Sequence, residues 1–231
     1  MYAAIILSAG IGSRMGLGYN KMLYEINNQP VVVHTLKKFL KNANCGQLIL
    51  VVNPTEIDTM QNILEGANIM DSRIRIVRGG SERQYSVYNG LQMVTEDVVL
   101  VHDGARPFVT QRMIDECYQQ ALSHHPSIVA VPVKDTIKRV VDGVVVETPD
   151  RSQIYAVQTP QAAPTSLLKQ AHERAKKTEF LGTDEASLIE KFTKSTVNVV
   201  RGDYTNIKLT TPEDLVMAKQ LMKGTLEIFN S

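Results

Sequence analysis

Residues 5–16 read IILSAGIGSRMG, an apolar run that ends in closely spaced glycines and an arginine. Similar runs rich in Val and Ile recur along the chain, separated by longer helix-patterned stretches, at residues 3–7, 48–52, 74–77, 98–101, 128–131 and 197–200. Because these runs are continuous rather than alternating, they predict strands that are covered on both faces. The alternation of strand and helix predicts an α/β fold with a mostly parallel, twisted sheet.

Capping patterns predict where three of the helices begin. A polar side chain just before a helix accepts from backbone N–H groups that have no partner within the helix, and proline is tolerated in the first turn. The patterns are Asn53 before Pro54, Ser81 with Gln84 at the spacing of a capping box, and Thr211-Pro212-Glu213-Asp214.

Length and charge are those of one ordinary globular domain. No shift in composition and no linker-like stretch divides the 231 residues, so a single domain over residues 1–231 is predicted. A formal net charge of +1 provides no field that would attract nucleic acid or a membrane surface. Neither is expected as a partner, and any anion binding must be local.

The use of cysteine indicates a cytoplasmic protein. Cys45 and Cys117 lie in unrelated segments without metal-ligand spacing, so both are expected to be buried thiols in a reducing compartment. The apolar start, residues 2–9, lacks a basic region and is too short to span a bilayer. Neither a signal peptide nor an anchor is expected.

One segment interrupts the strand-helix alternation. Residues 137–146 read IKRVVDGVVV, two β-branched runs joined by Asp142-Gly143, which predicts a tight hairpin. An apolar hairpin needs a surface on which to bury its faces. A second subunit would supply one, and so would the domain to which the hairpin belongs.

The glycine-rich loop after the first strand is a candidate phosphate site. Its spacing of Gly10, Gly12 and Gly16 matches neither the dinucleotide fingerprint nor a Walker A loop. Arg14 and Lys21 lie in the same segment, which contains no acidic residue. Glycines let backbone N–H groups approach an anion, and the two cations would neutralise phosphate oxygens. The alternative is a surface turn with solvated charges.

Two further junctions of strand and loop carry polar groups. Asp103 comes directly after a predicted strand, where it could reach a divalent cation or a ribose hydroxyl, or could pair with Arg106 and only shape the loop. At residues 79–86, backbone N–H groups and hydroxyls could read the edge of a base, although Ser81 and Gln84 are also explained by capping.

Three residues in the second half of the chain are less specific candidates. Arg151 follows the hairpin, and Thr183 precedes an acidic first turn that suits a helix cap. Lys208 lies in an apolar, Thr-rich stretch, where it is either a charge on an edge strand or a site residue, and the second is favoured. The five histidines fit no metal-binding template.

Taken in order, seven blocks of the chain resemble the 2-C-methyl-D-erythritol 4-phosphate cytidylyltransferase family of the non-mevalonate isoprenoid pathway. They read SAGIGSRM, GGSERQYSV, VHDGARP, VKDTIKRV, DRSQIYAVQTPQ, TDEAS and NIKLTTPEDL, and they cover nearly the whole chain. The resemblance implies a Rossmann-like, three-layer nucleotidyltransferase fold with a protruding β-hairpin arm.

The resemblance also implies an activity and a set of site residues. Such enzymes transfer a cytidylyl group from CTP to a sugar-alcohol phosphate and release pyrophosphate, with Mg²⁺ as the usual metal. Four cations would be catalytic: Arg14 and Lys21 at the triphosphate, Arg151 and Lys208 at the phosphate of the acceptor. The implied substrate-binding residues are Ser8, Ala9, Gly10, Gly12, Gly80, Ser81, Ser86, Asp103, Gly104, Arg106, Thr136, Thr159 and Thr183, and Asp103 is the implied metal ligand.

By the same resemblance, residues 133–157 form an arm that makes a homodimer and reaches the neighbour's active site. Three positions depart from the common pattern. Asn20 stands where many relatives have proline, which is expected to loosen the loop around Lys21. Thr205 replaces an aspartate found in some relatives, and Gly104 replaces a frequent alanine.

Three other functions compete with this one. Ribitol-5-phosphate cytidylyltransferases share the first loop and the NIK block, but they tend to differ at residues 150–151 and 183–187. An NAD-dependent oxidoreductase would need GxGxxG and an acidic residue near the end of the second strand, where Asn53 stands. A catalytically silent nucleotide-binding module would have no need to keep all four cations.

Overall fold

The computed structural model describes residues 1–10 and 19–224 of the chain. The strands are β1 (Tyr2–Ser8), β2 (Glu25–Ile26), β3 (Gln29–Pro30), β4 (Cys45–Val52), β5 (Ile74–Arg78), β6 (Val98–Asp103), β7 (Ser127–Pro132), β8 (Arg139–Val141), β9 (Val144–Glu147), β10 (Tyr155–Pro164) and β11 (Asn198–Arg201). The helices are α1 (Val31–Leu40), α2 (Ile57–Gly66), α3 (Arg83–Leu91), α4 (Gln111–Leu122), α5 (Thr165–Lys177), α6 (Glu185–Phe192) and α7 (Pro212–Met222).

Seven strands form the central sheet in the order β11-β7-β10-β6-β1-β4-β5. All six predicted strands are present and run parallel to one another. β10 is antiparallel to both of its neighbours, β6 and β7. The sequence did not predict β10 because its middle carries buried polar side chains rather than an apolar run, among them Gln158, Thr159 and Gln161.

Helices cover both faces of this sheet, which makes the three layers that were predicted. Alternate residues of β1 point to opposite sides: Ala4 and Ile6 pack in one apolar cluster, Ala3 and Ile5 in the other. The first cluster takes its helical side chains from α1, α2, α4 and α7, and the second takes them from α3, α5 and α6. Both clusters meet at the central strands, which are therefore buried on both faces.

Two of the three predicted helix starts are confirmed. The side chain of Asn53 accepts from the N–H of Thr55 in a short 3₁₀ turn that leads into α2. The side chain of Asp214 accepts from the N–H of Thr211, which begins α7 in a capping box. The capping box of Ser81 with Gln84 is wrong, since the residue before α3 is Glu82 and its side chain makes no capping bond.

The predicted hairpin is present as β8 and β9, joined by Asp142 and Gly143 with φ values of 49° and 79°. Such left-handed values are those of the turn that matches the strand twist in a two-residue hairpin. The arm leaves the sheet after β7 and returns in β10. Residues 155–157, the end of the predicted arm, pair with β7 and so belong to the sheet.

Among residues 1–10 and 19–224, no helix combines the length and apolar character that a membrane crossing requires. Both cysteines are free and buried, as expected. Burial raises the pKa of the Cys45 thiol to about 11 and that of the Cys117 thiol to about 12.

His172 of α5 is a buried histidine that the core holds neutral. Its side chain is 1% exposed, and none of the described residues hydrogen-bonds to either ring nitrogen. Burial, aided by the charge of Arg83, lowers its pKa to about 4. An unfolded chain takes up this proton near pH 6.5, so the stability that the neutral imidazole maintains above that pH is lost as the pH falls toward 4.

We therefore predict that His172→Leu makes the free energy of unfolding less sensitive to acid pH. Between pH 7 and pH 5 the free energy of unfolding of the variant should fall by about 2 kcal/mol less than that of the wild type. Urea unfolding at the two pH values measures the difference. The matched control is His125→Leu at an exposed position, and equal pH dependence in the wild type and His172→Leu would contradict the prediction.

Candidate active site

A pocket of about 340 Å³ opens where the carboxyl ends of β1, β5 and β6 meet. This is the edge at which open α/β sheets bind ligands, next to the point where the strand order reverses. Its lining residues are Leu7, Ala9, Gly10, Lys21, Met22, Gly80, Ser81, Glu82, Arg83, Ser86, Asp103, Ala105, Lys208 and Thr210. Eight candidates from the sequence thus share one pocket: Ala9, Gly10, Lys21, Gly80, Ser81, Ser86, Asp103 and Lys208.

Asp103, at the end of β6, is the carboxylate around which the cations of the pocket gather. Its Oδ2 lies 2.9 Å from Lys208 Nζ and 3.7 Å from Arg106 Nε, and its Oδ1 lies 3.7 Å from Arg83 Nε. Burial alone would raise the pKa of this carboxyl, but Lys208 and Arg83 outweigh it and hold the pKa well below its usual range. Asp103 is therefore an ionised carboxylate surrounded by cations.

Two of these cations are tied to acceptors of the protein itself. The two Nη atoms of Arg83 donate to the two carboxylate oxygens of Glu185, at 2.8 and 2.9 Å. Arg106 donates from Nη1 to the carbonyl oxygen of Asn206 at 2.7 Å. The sequence left two alternatives for Asp103, a contact with a ligand or a pairing with Arg106. The structure shows the pairing with Arg106 and also places Asp103 in the lining of the pocket.

Thr159 does not line the pocket but binds the backbone of Asp103. Its hydroxyl oxygen accepts from the N–H of Asp103 at 3.1 Å and lies 2.9 Å from His102 Nδ1. The hydroxyl proton therefore points to Nδ1, which leaves Nε2 of His102 to donate to the carbonyl oxygen of Arg106. Burial lowers the pKa of His102 to about 4, so this chain of bonds keeps one tautomer.

The Lys208 segment is fixed to the loop after β6 by backbone and side-chain bonds. The N–H of Leu209 donates to the carbonyl oxygen of Ala105 at 2.9 Å. Asn206, fully buried, donates from Nδ2 to the carbonyl oxygen of Thr159 at 3.0 Å. Lys208 is in a loop and pairs with Asp103, which rules out the alternative of an edge-strand charge.

Asn20 holds the turn that carries Lys21. Its Nδ2 donates to the carbonyl oxygen of Ser8 at 3.0 Å and to Glu56 Oε2 at 2.7 Å, and its Oδ1 accepts from the N–H of Met22. Asn20 is 2% exposed and ties the turn to the end of β1, whereas the loop that asparagine is expected to loosen lies mostly in residues 11–18, outside the described residues. Lys21 lies in this turn at 9% exposure.

The loop between β5 and α3 approaches the end of β1 very closely. A Cβ on Gly79 would lie 2.5 Å from the Cβ of Ala9, so only glycine permits this contact. The N–H of Gly80 donates to Ser86 Oγ at 3.0 Å, which fixes the loop to α3. Gln84, predicted as part of a cap, instead binds the segment before α6: it donates to the carbonyl oxygen of Phe180 and accepts from the N–H of Gly182.

Gly104 and Ser8 pack together under the floor of the pocket. A Cβ on Gly104 would lie 2.6 Å from Ser8 Oγ, 2.8 Å from the carbonyl oxygen of Leu7 and 3.2 Å from the sulfur of Met22. Ser8 is 1% exposed, and none of the described residues hydrogen-bonds to its hydroxyl. The alanine common at position 104 in relatives would therefore not fit without adjustment.

Some predicted site residues lie away from this pocket. Arg151 and Thr136 are exposed on the arm, where Arg151 Nη1 donates to the carbonyl oxygen of Lys134 at 2.7 Å. Thr183 is exposed before α6, and the cap of that helix is Asp184. Thr205 binds Asp203 and not the pocket. Gly12 and Arg14 lie outside the described residues.

The arrangement suits the binding of anions rather than a protein-made metal cage. Among the side chains that line the pocket, the three cations Lys21, Arg83 and Lys208 exceed the two carboxylates Glu82 and Asp103 by one charge. In the described part of the chain, no three His, Cys, Asp or Glu side chains group in a way that could hold a metal. Arg83 and Glu185 were missed by the sequence reasoning, although both lie in blocks that carried the resemblance.

Comparison with known proteins identifies what the chain resembles as a whole. A sequence model of the family described as 2-C-methyl-D-erythritol 4-phosphate cytidylyltransferase matches residues 2–224. A protein of that name from Bacillus pumilus is 49% identical over 222 residues, and one from Bacillus velezensis is 50% identical over 224. In both cases the alignment covers 96% of this chain and 96% of the relative.

Solved structures give the same answer for the fold. A 4-diphosphocytidyl-2C-methyl-D-erythritol synthase from Anaerococcus prevotii superposes with a TM-score of 0.85 at 32% identity, covering 96% of this chain and 98% of that one. A 2-C-methyl-D-erythritol 4-phosphate cytidylyltransferase from Francisella tularensis superposes with a TM-score of 0.79 at 33% identity, covering 94% and 97%. The predicted Rossmann-like, three-layer fold is confirmed.

We predict that Gly104→Ala destabilises the protein by about 2 kcal/mol, because the added methyl group meets both a side chain and a backbone carbonyl. Ser8→Ala in the same chain should recover only part of this loss, since the Leu7 carbonyl remains. The measurement is urea unfolding of the two single variants and the double variant. Gly66→Ala, where nothing lies within 4 Å of the added Cβ, is the matched control, and a double variant no more stable than Gly104→Ala would contradict the prediction.

Proposed function

The chain belongs to the 2-C-methyl-D-erythritol 4-phosphate cytidylyltransferase family, and from that premise we propose how its residues carry out the transfer. The enzyme transfers the cytidylyl group of CTP to 2-C-methyl-D-erythritol 4-phosphate and releases pyrophosphate. Family membership sets aside ribitol phosphate as the acceptor, hydride transfer to NAD and a silent binding module. The observation that carries the proposal is that Lys21 and Lys208, from opposite ends of the chain, line one pocket.

Electrostatic repulsion dominates the barrier of this reaction. A phosphate oxygen of the acceptor forms a bond to the α-phosphorus of CTP, and the bond from that phosphorus to the β-phosphate oxygen breaks, releasing pyrophosphate. Two anions must come together in line while charge builds up on the oxygens around the α-phosphorus. Positioning and fixed positive charge are then the main work of the protein, and no covalent enzyme intermediate is required.

The triphosphate occupies the Lys21 side of the pocket in this proposal. Lys21 is held in a turn that Asn20 fixes to the end of β1, so the backbone that carries this lysine does not depend on the nucleotide for its position. Gly10 contributes a backbone position without a side chain at the same wall. By family resemblance Arg14 adds a second cation there, and its position lies outside the described residues.

The cytidine base is proposed to lie against Ala9, Gly10, Gly80 and Ser86. The hydroxyl oxygen of Ser86 already accepts from the N–H of Gly80, which leaves the hydroxyl proton directed by what the pocket holds. Gly79 allows the loop that carries Gly80 to lie close against Ala9, so the space for a base on this side of the pocket is restricted. This close approach supports discrimination against the larger purine bases, which is part of the proposal.

The phosphate of the acceptor is proposed to bind Lys208. Its ammonium group has three donors, of which Asp103 takes one at 2.9 Å. The same carboxylate is within reach of a ribose or acceptor hydroxyl at the pocket surface. Arg151 and Thr136, exposed on the arm, are proposed to complete this site in a neighbouring subunit.

Magnesium fits this pocket as an ion that enters with the nucleotide. Mg²⁺ in phosphate sites takes most of its ligands from phosphate and water and needs only one or two carboxylates. Asp103 is a carboxylate of the pocket that could reach the ion, although Lys208 already binds one of its oxygens. When bound, the ion would shield charge on the triphosphate, while the residues named above bind and orient the reactants.

A homodimer formed through the arm is part of the proposal. Seven apolar side chains of the arm and the adjoining end of β10 are 43–64% exposed: Val140, Val141, Val144, Val145, Val146, Tyr155 and Val157. A two-stranded hairpin of this composition is marginal without a partner surface. A second copy would cover these side chains and bring Arg151 to the other subunit's pocket.

A cytoplasmic location is also proposed. Cys45 and Cys117 are free and buried, which is typical of proteins in a reducing compartment.

The two lysines should give different kinetic defects. We predict that Lys21→Ala lowers kcat by a factor that corresponds to about 3 kcal/mol, the loss of one well-placed donor to the transition state. Lys208→Ala should mainly raise the KM for the acceptor. Pyrophosphate release with CTP and varied acceptor measures both. Lys219→Ala, whose side chain packs on Tyr24 outside the pocket, is the control, and near-normal turnover of Lys21→Ala would remove that residue from the mechanism.

The arm should decide the oligomeric state. We predict that Val144→Asp, which places a charge on the apolar arm, converts a dimer to a monomer and lowers activity by removing the partner's Arg151 from the site. Light scattering and the same assay measure the two effects. Val216→Asp in α7 is a matched control because Val144 and Val216 are both 64% exposed. A Val144→Asp protein that stays dimeric would contradict the proposed interface.

A further inference from the structure

Arg83 and Glu185 form a pair that the roles above do not use. Arg83 begins α3 and lines the pocket, whereas Glu185 begins α6 and is 2% exposed. Their bidentate contact, at 2.8 and 2.9 Å, fixes the plane of the guanidinium group. The remaining edge of that group, at Nε, faces Asp103 at 3.7 Å.

We propose that Arg83, held by Glu185, is a positioning residue that keeps the Asp103 carboxylate directed at Lys208 and thereby sets the acceptor-phosphate site. The inference rests on the proposed role of Lys208 in binding that phosphate. It makes a chain of contacts from a buried carboxylate of α6 to the ammonium group at the pocket surface.

Arg83 does not have the contacts of a direct phosphate ligand. Both of its Nη atoms are engaged by Glu185, so the fork that would grip a phosphate is already filled. Arg106 is likewise tied, through Nη1, to the carbonyl oxygen of Asn206. Among the described ion pairs, Lys208 Nζ contacts Asp103 alone, whereas each of the two guanidinium groups also donates to a further acceptor of the protein.

Glu185 is held rigidly enough to serve as the fixed end of this chain. The side-chain oxygen of Gln161 in β10 accepts from the N–H of Ala186 at 3.1 Å, and its Nε2 donates to Asp184 at 2.9 Å. Gln84 accepts from the N–H of Gly182 at 2.8 Å in the preceding loop. Hydrogen bonds thus fix the start of α6 to β10, through Gln161, and the loop before α6 to α3, through Gln84.

A carboxylate beside a phosphate site needs this compensation. Without neighbouring cations Asp103 would repel the acceptor, and with Lys208 alone it would compete with the acceptor for that ammonium group. Arg83 reduces both effects by sharing the negative charge. The acidic group is then useful as a fixed partner that restricts where Lys208 can point.

The test compares Arg83→Gln and Glu185→Gln with Arg73→Gln in the full-length enzyme. Arg73 makes a similar two-point contact with Asp71 and has similar side-chain exposure, but it lies outside the pocket. Each Arg83 or Glu185 variant should raise the KM for 2-C-methyl-D-erythritol 4-phosphate about tenfold and leave the KM for CTP within about twofold. Arg73→Gln should leave both KM values unchanged.

Two further variants keep the result decisive. Arg83→Lys retains the charge beside Asp103, so it should recover part of the acceptor affinity even if Arg83→Gln fails to fold. Lys208→Ala separates the positioning role of Arg83 from the phosphate-binding role of Lys208. If it raises the acceptor KM while Arg83→Gln, Arg83→Lys and Glu185→Gln do not, the positioning role is overturned and the role of Lys208 stands. If Lys208→Ala leaves the acceptor KM unchanged, the proposed function of that lysine fails first.

Equal increases in the KM values for CTP and for the acceptor would also overturn the positioning role, because they indicate a general structural defect.

Discussion

The candidate active site is built around one buried carboxylate that its neighbours keep ionised. Asp103 is 7% exposed at the end of a central strand, where burial by itself favours the neutral acid. Cations from three separate segments reverse that preference: Lys208, Arg83 and Arg106. The fold must therefore bring the start of α3, the loop after β6 and the segment before α7 to one point, and the sheet topology does so.

β10, the antiparallel strand of the central seven-stranded sheet, completes this assembly. β10 lies beside β6, so the hydroxyl of Thr159 reaches the N–H of Asp103 and Gln161 reaches the start of α6. Asn206 then binds the Thr159 carbonyl and places the Lys208 segment next to the loop after β6. A parallel sheet alone would supply the glycine-rich loops but would leave Lys208 and Glu185 without these polar anchors.

Much of the fold could be predicted from the sequence because apolar continuity reports burial directly. The six parallel strands and the Asp142-Gly143 turn have local signals of that kind. β10 has none, since Gln158 and Thr159 are buried only because partners distant in sequence satisfy them. The site follows the same division: Lys21 and Asp103 follow recognisable strands, whereas the Arg83–Glu185 contact joins residues that only the tertiary structure makes neighbours.

The departures from the family pattern show why a substitution must be judged with its contacts. Asn20 supplies through three side-chain bonds the rigidity that proline would supply through its ring, so Lys21 stays fixed by a different route. Gly104 leaves the space that the Ser8 hydroxyl occupies, so these two positions are sterically coupled. In both cases the contacts of the residue that departs from the pattern fix the backbone beside a proposed site residue. The effect of such a departure therefore follows from the contacts that the new residue makes and not from the change in the motif alone.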